Sequence, residues 1–273
     1  MNDFSPTGII DAWINPNLGP PTEDAKTVGY LFPELAKRWE RGTTVSQLID
    51  EMDAAGIAKG VLTSGYGLTD TLAFTREAIA THPDRFVGSH HIDIREGLPA
   101  VRFAESLVRD EGFKMIRALG LESQLPYNHP HYYPLYAKCA ELGVPICLNV
   151  GIPGPLVSGR HQHPLAIDDV CAFMPELTIV MAHGGEPWVD LCVKLLVKWP
   201  NLYMMTSAFA PRHIPEQYLK LINTRGADKL MFASDYPLLT HQRCAAELVK
   251  LPFRDEDRYR KFVSGNAEKM FFT

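Results

Sequence analysis

The chain has 273 residues, 46% of them hydrophobic and 22% charged, which is enough apolar material for one sizeable globular core. Its formal net charge of −5 comes without a basic run or an interleaved aromatic stripe. General attraction to nucleic acid or to an anionic membrane is thereby excluded. No apolar stretch reaches the roughly 20 residues of a membrane span.

Five cysteines, Cys139, Cys147, Cys171, Cys192 and Cys244, are odd in number and show no CxxC spacing. They fall within apolar patterns and read as buried thiols of a reducing compartment. With no secretory pattern at the start, the expected location is the cytoplasm.

In chain order, short apolar runs alternate with longer amphipathic stretches. The runs at 8–14, 60–64, 86–92, 113–118, 145–150, 178–183, 202–207 and 230–234 predict strands. The helical period holds between them, at 44–55, 70–80, 98–110, 134–142, 164–173, 187–198 and 215–224. Thr44 with Gln47 opens the first of these helices, and Gly143 stops the one that ends at Leu142. Strand and helix alternating throughout predict an α/β fold, a (β/α)8 TIM barrel in one domain over 1–273. An open doubly wound sheet is the alternative, but neither phosphate-binding glycine motif, GxGxxG or GxxxxGK[ST], is present. Segment 16–41 is too long for a plain turn and should help to build the mouth. The Pro- and Gly-rich loop 151–163 has the length of a lid.

Barrel chemistry sits where the strands end, so polar residues ending apolar strands are the candidates. Alternation puts Asp11, Trp13 and Asn15 on one face of the first strand. Arg117, Asn149, His183 and Asp235 end the fourth, fifth, sixth and eighth. Asp235 suits a general base, His183 a general acid, and Arg117 a bidentate clamp on a carboxylate. Asn15 and Asn149 are donors for a carbonyl or oxyanion, and Trp13 is a stacking wall. His91, Glu186 and His161 complete the expected substrate contacts. Glu186 reads equally as a helix cap, and Ser207 has no evident activating partner.

The words IIDAWINP, EMDAAGIAKGVL, HPDRFVGS, EGFKMIRAL, YYPLYAKCAELGVPICLNVG, FMPELTIVMAHGGEPW, WPNLYMMTSAF, KLMFASDYP and GNAEKMF run end to end along the chain. In that order they resemble the amidohydrolase-related family that includes aminocarboxymuconate-semialdehyde decarboxylase and the γ-resorcylate decarboxylases. The resemblance implies a homodimeric amidohydrolase-type barrel acting on a small molecule. It also implies a metal-binding IDxHxH word on the first strand, where this chain has Trp13 and Asn15, and a histidine on the fifth, where it has Asn149. His183 and Asp235 match the family pattern.

An indole nitrogen only donates, and an amide oxygen is a weak zinc ligand. The first expectation is therefore an enzyme without the usual cofactor, a hydrolase or carboxy-lyase for a carboxylated cyclic or aromatic-derived compound. The second keeps one divalent ion, zinc or manganese, on His183, Asp235 and Asp11. The third is a barrel that only binds a ligand or partner.

Overall fold

The computed structural model describes residues 4–16, 42–66 and 71–273. From residue 17 onward, the 16–41 segment expected at the mouth lies outside the described residues.

Eight parallel strands follow in sequence order around one sheet. They are β1 (Ile9–Ile14), β2 (Ile57–Ser64), β3 (Phe86–His91), β4 (Phe113–Ala118), β5 (Ile146–Asn149), β6 (Ile179–Ala182), β7 (Leu202–Met205) and β8 (Leu230–Met231). Three main-chain bonds draw the last strand to the first. Ala12 N–H donates to Phe232 O (3.1 Å), Asn15 N–H to Tyr236 O (2.8 Å) and Asp235 N–H to Trp13 O (3.1 Å). The barrel predicted from the alternating pattern is the fold observed.

Helices pack outside: α1 (Val45–Ala55), α2 (Thr71–Thr81), α3 (Leu98–Asp110), α4 (Tyr133–Leu142), α5 (Leu165–Phe173), α6 (Val189–Lys198) and α7 (Glu216–Ile222). The α1 start is a capping box, with Gln47 N–H donating to Thr44 Oγ1 and Thr44 N–H to Gln47 Oε1. At its end Gly56 has φ 76°, and a Cβ there would sit 2.0 Å from the Pro6 carbonyl oxygen. Only glycine fits that turn.

Helices α8 (His241–Leu248), α9 (Glu256–Arg260) and α10 (Asn266–Phe271) follow the last strand and were not predicted from the sequence pattern. The reason lies in α10: Ala267 and Phe271 join the interior cluster of Val61, Val87, Met115, Cys147, Val180 and Met205. That helix closes the barrel floor with two side chains and leaves too short an apolar stripe to read. All five cysteines are free and buried, and no helix among the described residues is long and apolar enough to cross a membrane.

One irregularity shapes the site. The β1–β2 register shifts between Asp11 and Ile14. Ala12 and Trp13 consequently both join the interior cluster, while Ile9 and Ile14 face the helical layer. A bulge re-aims side chains that strict alternation would have placed elsewhere.

Candidate active site

Two residues beyond the interior cluster, most strands turn polar. Thr63 follows Val61, Arg117 follows Met115, Asn149 follows Cys147, Ser207 follows Met205 and Asp235 follows Ala233. On β1 the same count gives Asn15; the two mouth histidines depart from it, His91 standing four places after Val87 on β3 and His183 one place after Ala182 on β6. The helical layer keeps the residues between, as His90 illustrates. Its ring packs on Phe103 and Phe113, and its Nδ1 lies 2.8 Å from Ser64 Oγ. Burial pushes its pKa down to about 3, so it is a neutral structural histidine.

Two of the mouth residues owe their direction to backbone conformation. His183 (φ 67°) and Asp235 (φ 61°) both occupy the left-handed region. That costs a non-glycine residue about 1–2 kcal/mol, a strain found most often where function requires it. At His183 the turn brings the ring edge-on to Trp13, with centroids 4.8 Å apart.

A hydrogen-bonded chain fixes Asp235. Trp13 Nε1–H donates to Asn15 Oδ1 (3.0 Å), and Thr63 Oγ1–H donates to the same oxygen (2.6 Å). With its oxygen doubly engaged, Asn15 turns its amide nitrogen to Asp235 Oδ1 at 2.7 Å. Among the described residues no side-chain hydrogen bond reaches the second carboxylate oxygen. Burial pushes the Asp235 carboxyl above its ordinary pKa, although His183, Asn15 and Arg117 all pull it down. Burial likewise lowers His183, with Asp235 opposing and Arg117 reinforcing the shift.

Arg117 is 3% exposed, yet among the described residues it forms no ion pair, and its Nε has no hydrogen-bond partner. Its guanidinium instead lies over the Trp13 ring at 4.4 Å. Burial lowers its pKa to about 10. Nearby, the buried Asn149 Oδ1 and His91 Nδ1 also lack partners among the described residues, while His91 Nε2 contacts the Glu122 carboxylate. Buried groups without partners are rare and mark places where a ligand belongs.

Several expectations need correction. Asp11 does not face the mouth: the bulge turns it outward, fully buried. There it accepts the Trp13 N–H (3.1 Å), the Ser234 N–H (2.9 Å) and the Ser234 hydroxyl, with His241 Nε2 3.2 Å away. Trp13 is 4% exposed with a ring face under Arg117, so it is a platform for that cation and not an open wall. Glu186 is exposed and caps nothing, since α6 starts at Val189 without a side-chain cap. Its main-chain carbonyl accepts the Ile152 N–H (2.8 Å) and so anchors the 151–163 loop. His161 lies half-buried in the turn Arg160–Gln162, and what enters the structure most closely is its carbonyl, packed on Gly120. Its neighbour Gln162 pins the loop base, donating to Gly151 O at 3.0 Å.

The residues reasoning from sequence undervalued are Thr63, Ser207, Ser234 and Glu122. Thr63 was legible, standing two places after Val61 at a strand end. Ser207 does have a partner after all, His183.

The donor set does not fit a divalent ion in the family's usual manner. The Asn15 oxygen is spent on Trp13 and Thr63, and its N–H covers one oxygen of Asp235. Among the described residues no three His, Cys, Asp or Glu side chains converge as a ligand group.

An eight-stranded barrel that gathers buried ionisable side chains, His183, Asp235 and Arg117, at its mouth has the form of a barrel enzyme. The chain belongs to the amidohydrolase family, which its residues 40–273 match. It is 23% identical over 245 residues to a γ-resorcylate decarboxylase of Polaromonas sp., covering 72% of this chain and 74% of that one. Its fold is similar to an uncharacterised TIM-barrel protein of Bordetella bronchiseptica (TM-score 0.78, 24% identity, 97% and 98% of the two chains). It is similar also to a 5-carboxyvanillate decarboxylase of Novosphingobium aromaticivorans solved with manganese and a nitrobenzoic acid (TM-score 0.70, 17% identity, 98% and 96%).

Proposed function

We propose that the protein is a hydrolase or carboxy-lyase acting on a small carboxylated ring compound, with Arg117 binding the carboxylate and Asp235 moving the proton. The observation that carries this reading is the buried Arg117 guanidinium, which among the described residues forms no ion pair and leaves its Nε without a hydrogen-bond partner. A buried cation that feels Asp235 and Glu122 only at a distance, with no direct ion pair among the described residues, is expensive, and an incoming carboxylate supplies one in bidentate geometry. The aromatic carboxylates named for the decarboxylase relatives fit that demand.

Asp235 serves either reaction. As a carboxylate it takes a proton from water as the water oxygen attacks an ester carbonyl; the tetrahedral adduct then collapses, the carbonyl–alkoxy C–O bond breaks, and the leaving oxygen takes that proton back from Asp235. As a carboxylic acid, a form its raised pKa favours, it gives a proton to a ring carbon. The carbon–carboxylate bonding pair then returns to the ring as carbon dioxide leaves. Asn15 holds Asp235 in place, and Asn149 and His91 line the carboxylate side. The reading dispenses with a divalent ion, and the cytoplasm and a homodimer are its expected setting.

The test is turnover of γ-resorcylate, 5-carboxyvanillate and cyclic ester carboxylates, monitored for carbon dioxide and for ring opening. Wild type should convert one of these classes, Arg117→Met should lose affinity for it, and Asp235→Asn should lose turnover. Undiminished carboxylate affinity in Arg117→Met would sink the assignment.

A further inference from the structure

One hydroxyl grips His183 twice. Ser207 Oγ accepts the main-chain N–H of His183 at 3.1 Å and lies 2.9 Å from its ring Nδ1. Ser207 is completely buried, and among the described residues its hydroxyl has no other acceptor in reach. A hydroxyl carries a single proton, and burying it unmet costs about 1–3 kcal/mol. The proton must therefore go to Nδ1, which accepts it through a lone pair. A neutral imidazole has one N–H, so it resides on Nε2.

We propose that Ser207 is a positioning residue that locks His183 as the Nε2–H tautomer, so that the ring presents a hydrogen-bond donor to the substrate. The two contacts act together. The bond to the main-chain N–H holds His183 in its left-handed turn, and the bond to Nδ1 sets the ring's rotation and its proton. A ring so held cannot act as the base, which leaves that task to Asp235 and gives His183 the task of stabilising a developing oxyanion. Burial, which favours the neutral ring, works in the same direction. Ser207 itself needs no nucleophilic role, since its proton is committed.

The tautomer assignment stands on the free protein; only its kinetic consequence rests on the acid/base reading above. Two-bond nitrogen–proton correlation spectra of histidine-labelled protein at neutral pH read it directly, with His183→Gln identifying the signal. Wild type should show a protonated Nε2 and a bare Nδ1. Ser207→Ala should release Nδ1 and shift the ring toward the other tautomer, and Ser207→Thr, which keeps the hydroxyl, should restore it.

With the carboxylate that wild type converts, Ser207→Ala should lower kcat roughly 10- to 100-fold and leave KM nearly unchanged. A protonated Nδ1 in the wild type overturns the proposal without any variant needing to fold. The expected spectra with unchanged kcat in Ser207→Ala would overturn the positioning role while leaving the tautomer intact, placing the fault in the acid/base reading.

Discussion

Arg117 and Asp235 are both costly residues for the folded chain, and their costs can be measured. Burial lowers the arginine's pKa to about 10, a shift that corresponds to roughly 1–3 kcal/mol after relaxation. Arg117→Met should therefore raise stability by about that amount in urea unfolding while weakening carboxylate binding. A destabilised variant would mean that the cation has a partner after all. For Asp235 the folded pKa lies above the unfolded one, so the penalty is absent when both states are protonated and full above the raised value. Asp235→Asn keeps an acceptor for Asn15. It should melt higher than wild type at neutral pH, with the gap closing as pH falls, and should lose about 10²–10⁴-fold in turnover. The limb of the wild-type pH–rate profile that Asp235 sets, rising with pH if it acts as base and falling if it acts as acid, should stand above the ordinary carboxylate range. A limb at the usual value would move the base elsewhere.

At the scale of elements, the β1–β8 junction decides what the mouth looks like. Asp11 collects two main-chain N–H groups and a hydroxyl from the two strand ends, and the Asp235 N–H is bonded back to Trp13 O. Asp11→Ala would leave those donors unmet in a dry site and should cost about 2–4 kcal/mol in chemical denaturation. Turnover should fall too, because Trp13 and Asp235 lose their common anchor. A loss below about 0.5 kcal/mol would show the junction to be held by other contacts.

The same junction marks the limit of what the sequence displays. The strands were legible, as was the placement of Arg117, Asn149, His183 and Asp235 at the strand ends, because a polar group ending an apolar run is a local pattern. Asp11 was misplaced because a one-residue bulge inverts alternation, and its cause lies in the pairing with β2. Ser207 was undervalued because its partner, His183, sits 24 residues away on a neighbouring strand. At Glu186 and His161 the contacts that hold the loop come from the main chain, which no side-chain pattern displays.

For the whole molecule, the question is what neutralises substrate charge in a barrel whose first strand ends in Trp13 and Asn15. The barrel interior is full, and Phe271 closes its floor without exposure to solvent. The mouth is then the one end of the described barrel where ligand charge can enter, and the fixed cation there is Arg117 on its indole platform. His183 and Asp235 alone offer two protein ligands, fewer than the three that usually hold a catalytic zinc. Protein purified without chelator or metal-binding tag should therefore carry well under one equivalent of divalent ion per chain by elemental analysis. Prolonged dialysis against a strong chelator should change neither the melting temperature nor the turnover of the carboxylate substrate. About one equivalent of manganese or zinc, lost together with activity and restored together with it, would reassign the electrophilic role from Arg117 to the ion. In that event Asn15→His should strengthen metal retention, because an imidazole there supplies a third ligand. If Arg117 is the electrophile, the same substitution removes the amide that orients Asp235 and lowers turnover without any gain in bound metal.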